Sequence, residues 1–225
     1  SHMFGGQVSA GVTVRAIINR GGEQGAQHSQ ALHAWFAHIP GLRVVMPSTV
    51  ADARDLLIAS VLCLDPVIFI DDRWLYDNSA NLPPIQELDL SKETPRVLAT
   101  GDDLTLVGSG FSTDLALKAR EKLLAQGISC DVVDLRILNP LDSAPILESV
   151  GKTGRLIAVD GGWSSCGISA EILALVAEQL PSRMLQSSPA RVTLPDSPAP
   201  TSRVLEEAYY PSSEVIVSTA LRMLG

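Results

Sequence analysis

The residue best placed for chemistry is His28, which lies in a glycine-rich segment. The segment from Asn19 to Gln30 follows an apolar run and precedes an amphipathic run, so the imidazole is expected on a loop that leaves a buried strand. Open α/β sheets bind ligands outside the carboxyl ends of their strands, which is where such a loop lies. Because imidazole titrates near neutrality, His28 could donate or accept a proton during catalysis.

The other histidines and the cysteines fit structural roles better than catalytic ones. His33 and His38 fall on the predicted helix that follows, where we expect their ring nitrogens to bond to local backbone. Cys63, Cys130 and Cys166 are widely spaced and form no CxxC pair, so neither a disulfide framework nor a zinc site is indicated. We expect them to be packing residues in a protein of a reducing compartment, the cytoplasm.

Composition argues against two classes of partner. The 225-residue chain has a net charge of -8 and no basic stripe interleaved with aromatic residues, which is unfavourable for nucleic-acid binding. Its apolar runs are shorter than the roughly 20 residues that a membrane helix requires, so no membrane partner is expected. Ser1-His2-Met3 is typical of a cloning remnant, and His2 is therefore left out of any metal argument.

The elements that must position His28 follow an α/β pattern. Through residues 12–70, strands and helices alternate, which predicts parallel strands with right-handed connections. The run Val12–Ile18 is apolar on both sides of Arg15 and predicts a strand covered on both faces. Residues 77–100 are proline-rich without a sustained period, as in a linker. We place a first domain at residues 1–85, a linker at 86–100 and a second α/β domain at 101–225.

Several motifs, taken in order along the chain, resemble one protein family. They include Gln24-Gly-Ala-Gln-His-Ser-Gln30, Trp35-Phe-Ala-His-Ile-Pro-Gly41, Val44-Val-Met-Pro47, Pro140-Leu-Asp142 and Gly161-Gly-Trp163. They resemble the β subunits of thiamin-diphosphate-dependent 2-oxo acid dehydrogenases, the E1 components of pyruvate and branched-chain complexes within the transketolase superfamily. The resemblance implies an α/β fold, in which a partial pyrimidine-binding domain with a parallel sheet precedes a domain like the transketolase C-terminal domain.

The resemblance also implies site residues, cofactors and partners. The matching histidine of the family faces the reactive carbon of the cofactor, so His28 is the expected catalytic residue. A potassium site made largely of backbone carbonyls would fall on Val12, Ser60, Val61, Cys63 and Asp65. Thiamin diphosphate would be shared with an α subunit, and Mg²⁺ would bind only through that subunit. A lipoyl acyltransferase would be a further partner.

The chain departs from the family pattern in ways that affect function. It lacks the family's N-terminal part, which supplies a glutamate that hydrogen-bonds the aminopyrimidine ring, and Glu23 lies on the wrong side of the motif to replace it. No Gly-Asp-Gly magnesium motif occurs. Arg73 reverses a charge beside Asp71, near the substrate entrance of relatives, where we expect it to form a surface salt bridge. Asp160 replaces a glutamate and is expected to be structural. The chain alone is therefore expected to be incomplete as a catalyst.

Two other functions remain open on the sequence. The first is half of a sugar enzyme like transketolase or deoxyxylulose-phosphate synthase, although Gln27-His28-Ser29-Gln30 favours the dehydrogenase branch. The second is a non-catalytic assembly module that supplies an interface and His28 to a partner. A gene start upstream of Met3 would indicate part of an enzyme subunit. In either case a sheet edge without its neighbouring strand would favour self-association.

Overall fold

The computed structural model describes Gly5 and residues 7–225, so Ser1-His2-Met3 and the first residues of the predicted first domain lie outside the described part. The chain forms two sheets, with strand orders β1-β3-β2-β7 and β4-β6-β5-β8-β9. The strands are β1 (Thr13–Ile18), β2 (Arg43–Met46), β3 (Val67–Asp72), β4 (Arg96–Ala99), β5 (Leu104–Gly108), β6 (Cys130–Asp134), β7 (Arg136–Asn139), β8 (Leu156–Trp163) and β9 (Ala190–Leu194).

Helices lie between the strands and after β9. They are α1 (Gly25–His28), α2 (His33–Ala37), α3 (Val50–Leu62), α4 (Phe111–Leu124), α5 (Ala144–Thr153), α6 (Ile168–Gln179), α7 (Arg203–Tyr209) and α8 (Ser213–Leu224), with short 3-10 turns at Arg73–Leu75 and Ser182–Met184. None of the helices in the described part of the chain combines the length and the apolar run that crossing a bilayer requires.

The first sheet has the predicted parallel core. β3 lies between β1 and β2 and runs parallel to both, with Ile17 opposite Asp71 and Val44 opposite Ile68. α3 makes the crossover between β2 and β3, and its first turn is capped by the side chain of Thr49, which accepts a hydrogen bond from the Asp52 amide. The polar end of β3, at Asp71 and Asp72, therefore lies at the same edge of the sheet as the segment that follows β1.

The fourth strand of the first sheet comes from the other half of the chain. β7 pairs antiparallel with β2, with Val45 opposite Ile137. Only Leu135 separates β7 from β6 of the second sheet, and Arg136 adopts a φ of +56° at the start of β7. The chain thus passes directly from one sheet to the other. This crossing was not predicted, because the apolar residues of β6 and β7 form one nearly continuous run in the sequence.

The end of the predicted linker is also structured. Arg96–Ala99 forms β4, which pairs antiparallel with β6 at the edge of the second sheet. Leu90 is buried in a cluster with Val45 and Ile137 of the first sheet and Leu56 of α3. Residues 86–100 therefore lie against both sheets. The domain boundary at these residues stays a prediction.

One apolar core joins the two sheets. Ile18 and Val44 of the first sheet belong to the same buried cluster as Val107 and Val133 of the second sheet and Ile168 of α6. Burial of such side chains contributes about 1.5–3 kcal/mol each. The end of β1, from which the His28 segment departs, is therefore fixed against the second sheet.

The outer strand β1 does not have the cover that its sequence predicts. Its apolar side chains are about half exposed, with Val14 at 49% and Ile17 at 48%. The prediction of a strand covered on both faces is wrong within the described chain, because these side chains remain about half exposed. β1 also lies at the sheet edge, with β3 as its only neighbouring strand there. Val61 and Leu64, at the end of α3, are exposed as well.

Candidate active site

His28 is the last residue of α1, a four-residue helix, and its side chain is exposed. The sequence predicts a loop here, and the structure replaces that loop with one helical turn. Gly25, the first residue of α1, has a φ of +63°, and a Cβ at this position would lie 2.5 Å from Cγ2 of Thr201. Glycine is therefore required for α1 to pack against the proline-rich segment before α7. The catalytic role of His28 stays a prediction.

The chain before α1 is anchored by Arg20. Its Nε donates to Asp72 Oδ2 at 2.7 Å, and its Nη1 donates to the carbonyl of Gly161 at 2.9 Å. Both charged side chains of this ion pair are buried. A Cβ on Gly161 would lie only 2.1 Å from Nη2 of Arg20. The glycine thus provides the space through which the guanidinium joins the two sheets.

The glycine loop itself is held by a carboxylate of α7. The amide of Glu23 donates to Oε2 of Glu206 at 3.0 Å, and Glu23 adopts a φ of +61°. Oε1 of Glu23 accepts a hydrogen bond from the Arg203 amide at 3.4 Å. Glu23 is therefore committed to contacts with α7.

After α1 the chain is anchored by His33. Its Nε2 lies 2.9 Å from Oδ1 of Asp160, and both side chains are about 1% exposed. The prediction that His33 bonds to local backbone is wrong, because its partner is on β8. Oδ2 of Asp160 accepts from the Ser169 amide in the first turn of α6, so this carboxylate occupies the positive end of the helix.

The environment of Asp160 keeps it ionised. Burial by itself would raise the pKa of Asp160, but the charge and hydrogen bond of His33 and the amides of Ser169 and Gly162 lower it to about 2. Asp160 is structural, as expected, but its structural role is to hold the His28 segment. The aromatic Trp163 packs beyond it and donates from Nε1 to the carbonyl of Ser197 at 2.8 Å.

Residues 20–33 are thus fastened to residues 160–206 at four points, through Arg20, Glu23, Gly25 and His33. The sequence pattern predicts that His28 is exposed on this segment, but it does not predict that Arg20 and Glu206 hold the segment in place. Their only sequence signal is a charged residue beside a glycine loop or on a short helix, which is common on protein surfaces. What identifies them is their burial in the fold.

A second polar cluster lies at the carboxyl end of β3. Arg15, Asp71 and Tyr76 are mutually hydrogen-bonded, with 2.9 Å between Arg15 Nη2 and the Tyr76 hydroxyl and 2.9 Å between that hydroxyl and Asp71 Oδ2. They line a cavity of about 270 Å³ together with Ser48. Arg73, expected to form a surface salt bridge, is exposed and donates to the side-chain oxygen of Asn19 at 3.3 Å. The ion pair at this position therefore joins Asp71 to Arg15 and does not include Arg73.

The predicted potassium ligands lie near the end of α3. The Ser60 carbonyl accepts from the Thr13 hydroxyl at 2.7 Å and from the Cys63 amide at 3.3 Å, and the Val12 carbonyl accepts from the Val67 amide at 2.8 Å. The carbonyl oxygen of Ser60 thus already accepts two hydrogen bonds, so a cation that binds this oxygen would have to displace the Thr13 hydroxyl.

The side chain of the fifth ligand has its own partner. Asp65 Oδ2 accepts from Arg43 Nε at 2.9 Å. No group of three or more histidine, cysteine or acidic side chains suited to a metal occurs in the described part of the chain. The negative end of α3 does favour a cation. The set Val12, Ser60, Val61, Cys63 and Asp65 stays a prediction.

The three cysteines are free and differ in environment. Cys130 is buried in the second sheet, where burial raises the pKa of its thiol to about 12, so it packs as expected. Cys166 is exposed with a φ of +56° and borders a cavity between α2 and α6. The prediction that Cys166 is a packing residue is wrong, because it lies on the turn between β8 and α6.

Family models match both halves of the chain. The model described as transketolase, pyrimidine binding domain, matches residues 1–78, and the model described as transketolase, C-terminal domain, matches residues 94–216. A solved structure of a split-gene transketolase, described as an inactive beta4 tetramer, superposes with a TM-score of 0.75 at 22% identity, over 99% of this chain and 70% of that one. This similarity establishes the fold.

The curated relatives of this chain include β subunits of two enzymes. The chain is 38% identical over 230 residues to the beta subunit of acetoin:2,6-dichlorophenolindophenol oxidoreductase of Bacillus subtilis, covering 100% of this chain and 65% of the relative. It is 41% identical over 178 residues to the pyruvate dehydrogenase E1 component subunit beta of Rhizobium meliloti, covering 79% and 39%. It thus spans less than two thirds of the length of either relative. The matches to both domain models and to these subunits show that the chain belongs to the transketolase family, with a pyrimidine-binding domain followed by a transketolase C-terminal domain.

Proposed function

We propose that this chain is the C-terminal portion of the β subunit of an E1-type 2-oxo acid dehydrogenase. Together with an α subunit it would decarboxylate a 2-oxo acid on thiamin diphosphate and transfer the acyl group to lipoamide. The observation that carries the proposal is the similarity to named β subunits, which extends over the whole chain in the Bacillus subtilis relative and includes the segment that presents His28.

We propose that this chain supplies one wall of the cofactor site. Bound thiamin diphosphate supplies a nucleophilic carbon that attacks a carbonyl group and stabilises the electron pair left by bond cleavage. This chain contributes the exposed imidazole of His28, which would hold or release a proton at a ring nitrogen next to the substrate carbonyl oxygen. Fastening residues 20–33 at four points would fix the position of the ring, on which proton transfer depends.

Acetoin is the second candidate substrate. The relatives of Bacillus subtilis and Cupriavidus necator are both named as acetoin oxidoreductase subunits, each at 38% identity over nearly all of this chain. A hydroxyketone carries no carboxylate, whereas a 2-oxo acid does. The names of these two relatives are the observation that favours acetoin. The sugar enzyme and the assembly module remain alternatives that activity measurements separate.

Cofactor and cation binding would depend on the α subunit. We propose that the α subunit holds the diphosphate and Mg²⁺, so that the chain by itself binds thiamin diphosphate negligibly in calorimetry. Micromolar binding would show that cofactor contacts lie in this chain. The proposal includes a potassium site at Val12, Ser60, Val61, Cys63 and Asp65. If K⁺ binds there, replacing choline chloride by KCl at constant ionic strength should raise the free energy of unfolding.

Further partners follow from the same proposal. A lipoyl acyltransferase would dock on the second domain, and self-association through the open edge of β1 is supported by its half-exposed valine and isoleucine side chains. Three free cysteines suit a reducing compartment, and we propose the cytoplasm.

The test is activity in a completed enzyme. The N-terminal segment of a relative's β subunit is joined to this chain, the matching α subunit is added, and dye reduction is measured with pyruvate, branched-chain 2-oxo acids and acetoin. His28→Ala should abolish most of the activity, whereas His38→Ala, which removes an exposed histidine just after α2, should retain it. Equal rates for His28→Ala and the unsubstituted protein would refute the catalytic role. Turnover of sugar phosphates alone would favour the transketolase-like alternative.

A further inference from the structure

A cavity of about 640 Å³ lies beside the glycine loop. Its walls come from the loop before α1, the turn after β3, the start of α4, and α7. The residues relevant here are Glu23, Trp74, Phe111, Glu206, Glu207 and Tyr210. The cavity therefore combines aromatic rings with carboxylates.

The aromatic wall is continuous. The ring centroid of Trp74 lies 4.7 Å from that of Phe111 and 5.1 Å from that of Tyr210, and both pairs meet edge to face. Aromatic faces attract cations, and the attraction grows when the cation is desolvated. Phe111 shows this in the structure, because the ammonium of Lys118 lies 5.6 Å from its centroid. The wall is thus of a kind that binds organic cations.

Two buried polar atoms at this cavity have no partner in the described chain. They are Oε1 of Glu206 and the hydroxyl of Tyr210, in residues that are 5% and 9% exposed. The Tyr210 amide donates to the Glu206 carbonyl at 3.1 Å, so the two side chains lie one helical turn apart on the same face of α7. A buried carboxylate oxygen without a donor is costly. Both oxygens are shielded from solvent as they stand, so the two side chains would have to rotate for the N–H donors of a ligand to satisfy them.

The charges at the cavity agree with this. Glu23, Glu206 and Glu207 line it against a single guanidinium, that of Arg203. Arg203 Nε lies 3.2 Å from Oε1 of Glu207, and both side chains are exposed. Lys118, close to Phe111, is paired with Asp114. The buried carboxylate of Glu206 therefore has no cationic partner of its own among the described residues.

We propose that this cavity binds a guanidinium or alkylammonium group. A guanidinium fits best, because its planar fork can donate to Glu206 and Tyr210 while its face stacks on an aromatic ring. The group would be either a free organic cation or the side chain of a basic peptide, since both present the same chemistry. The site includes Glu23 and Glu206, whose mutual contact also holds the glycine loop before His28, but cation binding here does not require the reaction proposed above.

The test is titration of the chain with methylguanidinium chloride, monitored by the Trp74 indole resonance in ¹⁵N NMR. The resonance is assigned by its loss in Trp74→Phe, and sodium chloride at equal ionic strength serves as the reference. We expect a saturable shift with methylguanidinium only. Glu206→Gln should weaken apparent affinity by about tenfold or more, because a charge-assisted hydrogen bond is lost. Glu148→Gln, an exposed acid on α5, should leave affinity unchanged.

A peptide arm separates the two sources of the cation. Acetyl-Gly-Arg-Gly-amide is compared with its citrulline counterpart, which has the same shape without the charge. Binding of both methylguanidinium and the arginine peptide supports a site for free cations, and binding of the arginine peptide alone supports a site for a partner's side chain. If Glu206→Gln does not fold, Tyr210→Phe decides, with an expected severalfold loss. The proposal is overturned if neither probe gives a saturable shift. It is also overturned if Tyr210→Phe and Glu206→Gln bind the probes as tightly as the unsubstituted chain does.

Discussion

The imidazole of His33 lies 2.9 Å from the carboxylate of Asp160, although the two residues are 127 positions apart in the chain. This buried pair joins the helix after His28 to the last residues of β8. Together with Arg20, which reaches Gly161, it makes the position of the presented imidazole depend on the second sheet. The pyrimidine-binding half and the C-terminal half therefore cooperate within one chain.

Replacing Asp160 tests this dependence. Asp160→Asn leaves His33 buried without a carboxylate and removes an acceptor from the Ser169 amide, so we expect the free energy of unfolding to fall by about 3–5 kcal/mol. Urea denaturation measures the change. Asp102→Asn, an exposed acid before β5, should have little effect. Equal stability of Asp160→Asn and Asp102→Asn would show that the pair contributes nothing to stability.

The same pair predicts an acid limit. The pKa of Asp160 is about 2 in the folded chain against 3.8 for the ordinary carboxyl, so the folded state favours the ionised form. Its contribution to stability is present above pH 3.8 and is lost as the pH falls towards 2. Denaturation midpoints measured between pH 5 and pH 2.5 should fall more steeply for the unsubstituted chain than for Asp160→Asn.

Gly161→Ala should disturb the opposite end of the His28 segment. The added Cβ would lie 2.1 Å from Arg20 Nη2, so the guanidinium must leave and Asp72 loses its buried partner. We expect a loss of about 2 kcal/mol or more in the free energy of unfolding. Gly151→Ala is the matched control, because its Cβ would meet only the flexible end of Met184 at 3.3 Å and alanine is favoured within α5. A thermal shift as small as that of the control would argue against the steric role.

Asp134 predicts a dependence of stability on pH near neutrality. Burial is the main cause that raises the pKa of Asp134 to about 7, and the charge of Asp52 raises it further. The hydrogen bonds from Ser48 and Thr113 and the charge of Arg136 lower the pKa but do not outweigh burial. The folded state thus favours the protonated form, and stability declines as the pH rises from 3.8 to 7. The total is on the order of 4 kcal/mol.

Asp134→Asn isolates this contribution. The amide keeps the shape and can bond to the Ser48 and Thr113 hydroxyls but does not titrate. Between pH 5 and pH 8 the midpoint of chemical denaturation should fall in the unsubstituted chain and stay nearly constant in Asp134→Asn, with the variant more stable at pH 8. Parallel curves for the two proteins would show that Asp134 does not titrate in this range.

Local pattern predicted the α/β alternation and the position of His28 between a strand and an amphipathic helix, because both depend on neighbouring residues. It did not predict the partners of Arg20 and His33, which are 52 and 127 positions away and become neighbours only through the sheet order. β7 was missed because its apolar residues form one nearly continuous run with those of β6. The apolar pattern of β1 indicated cover on both faces, whereas in the described chain its side chains are half exposed and β1 is an edge strand paired only with β3.

That open edge leads to the last prediction. β1 presents unpaired backbone groups and half-exposed Val14 and Ile17, which together form a template for pairing with a second copy. The chain should therefore self-associate with rising concentration in sedimentation velocity. Val14→Lys places a charge on the edge strand and should weaken the association by about tenfold or more, whereas Val215→Lys, on the exposed face of α8, should not. A chain that stays monomeric at all concentrations, or that associates equally after Val14→Lys, would mean that copies do not meet at β1. Adding the N-terminal segment of a relative should suppress the association if that segment pairs with the same edge, because the free edge of β1 can pair with only one strand at a time.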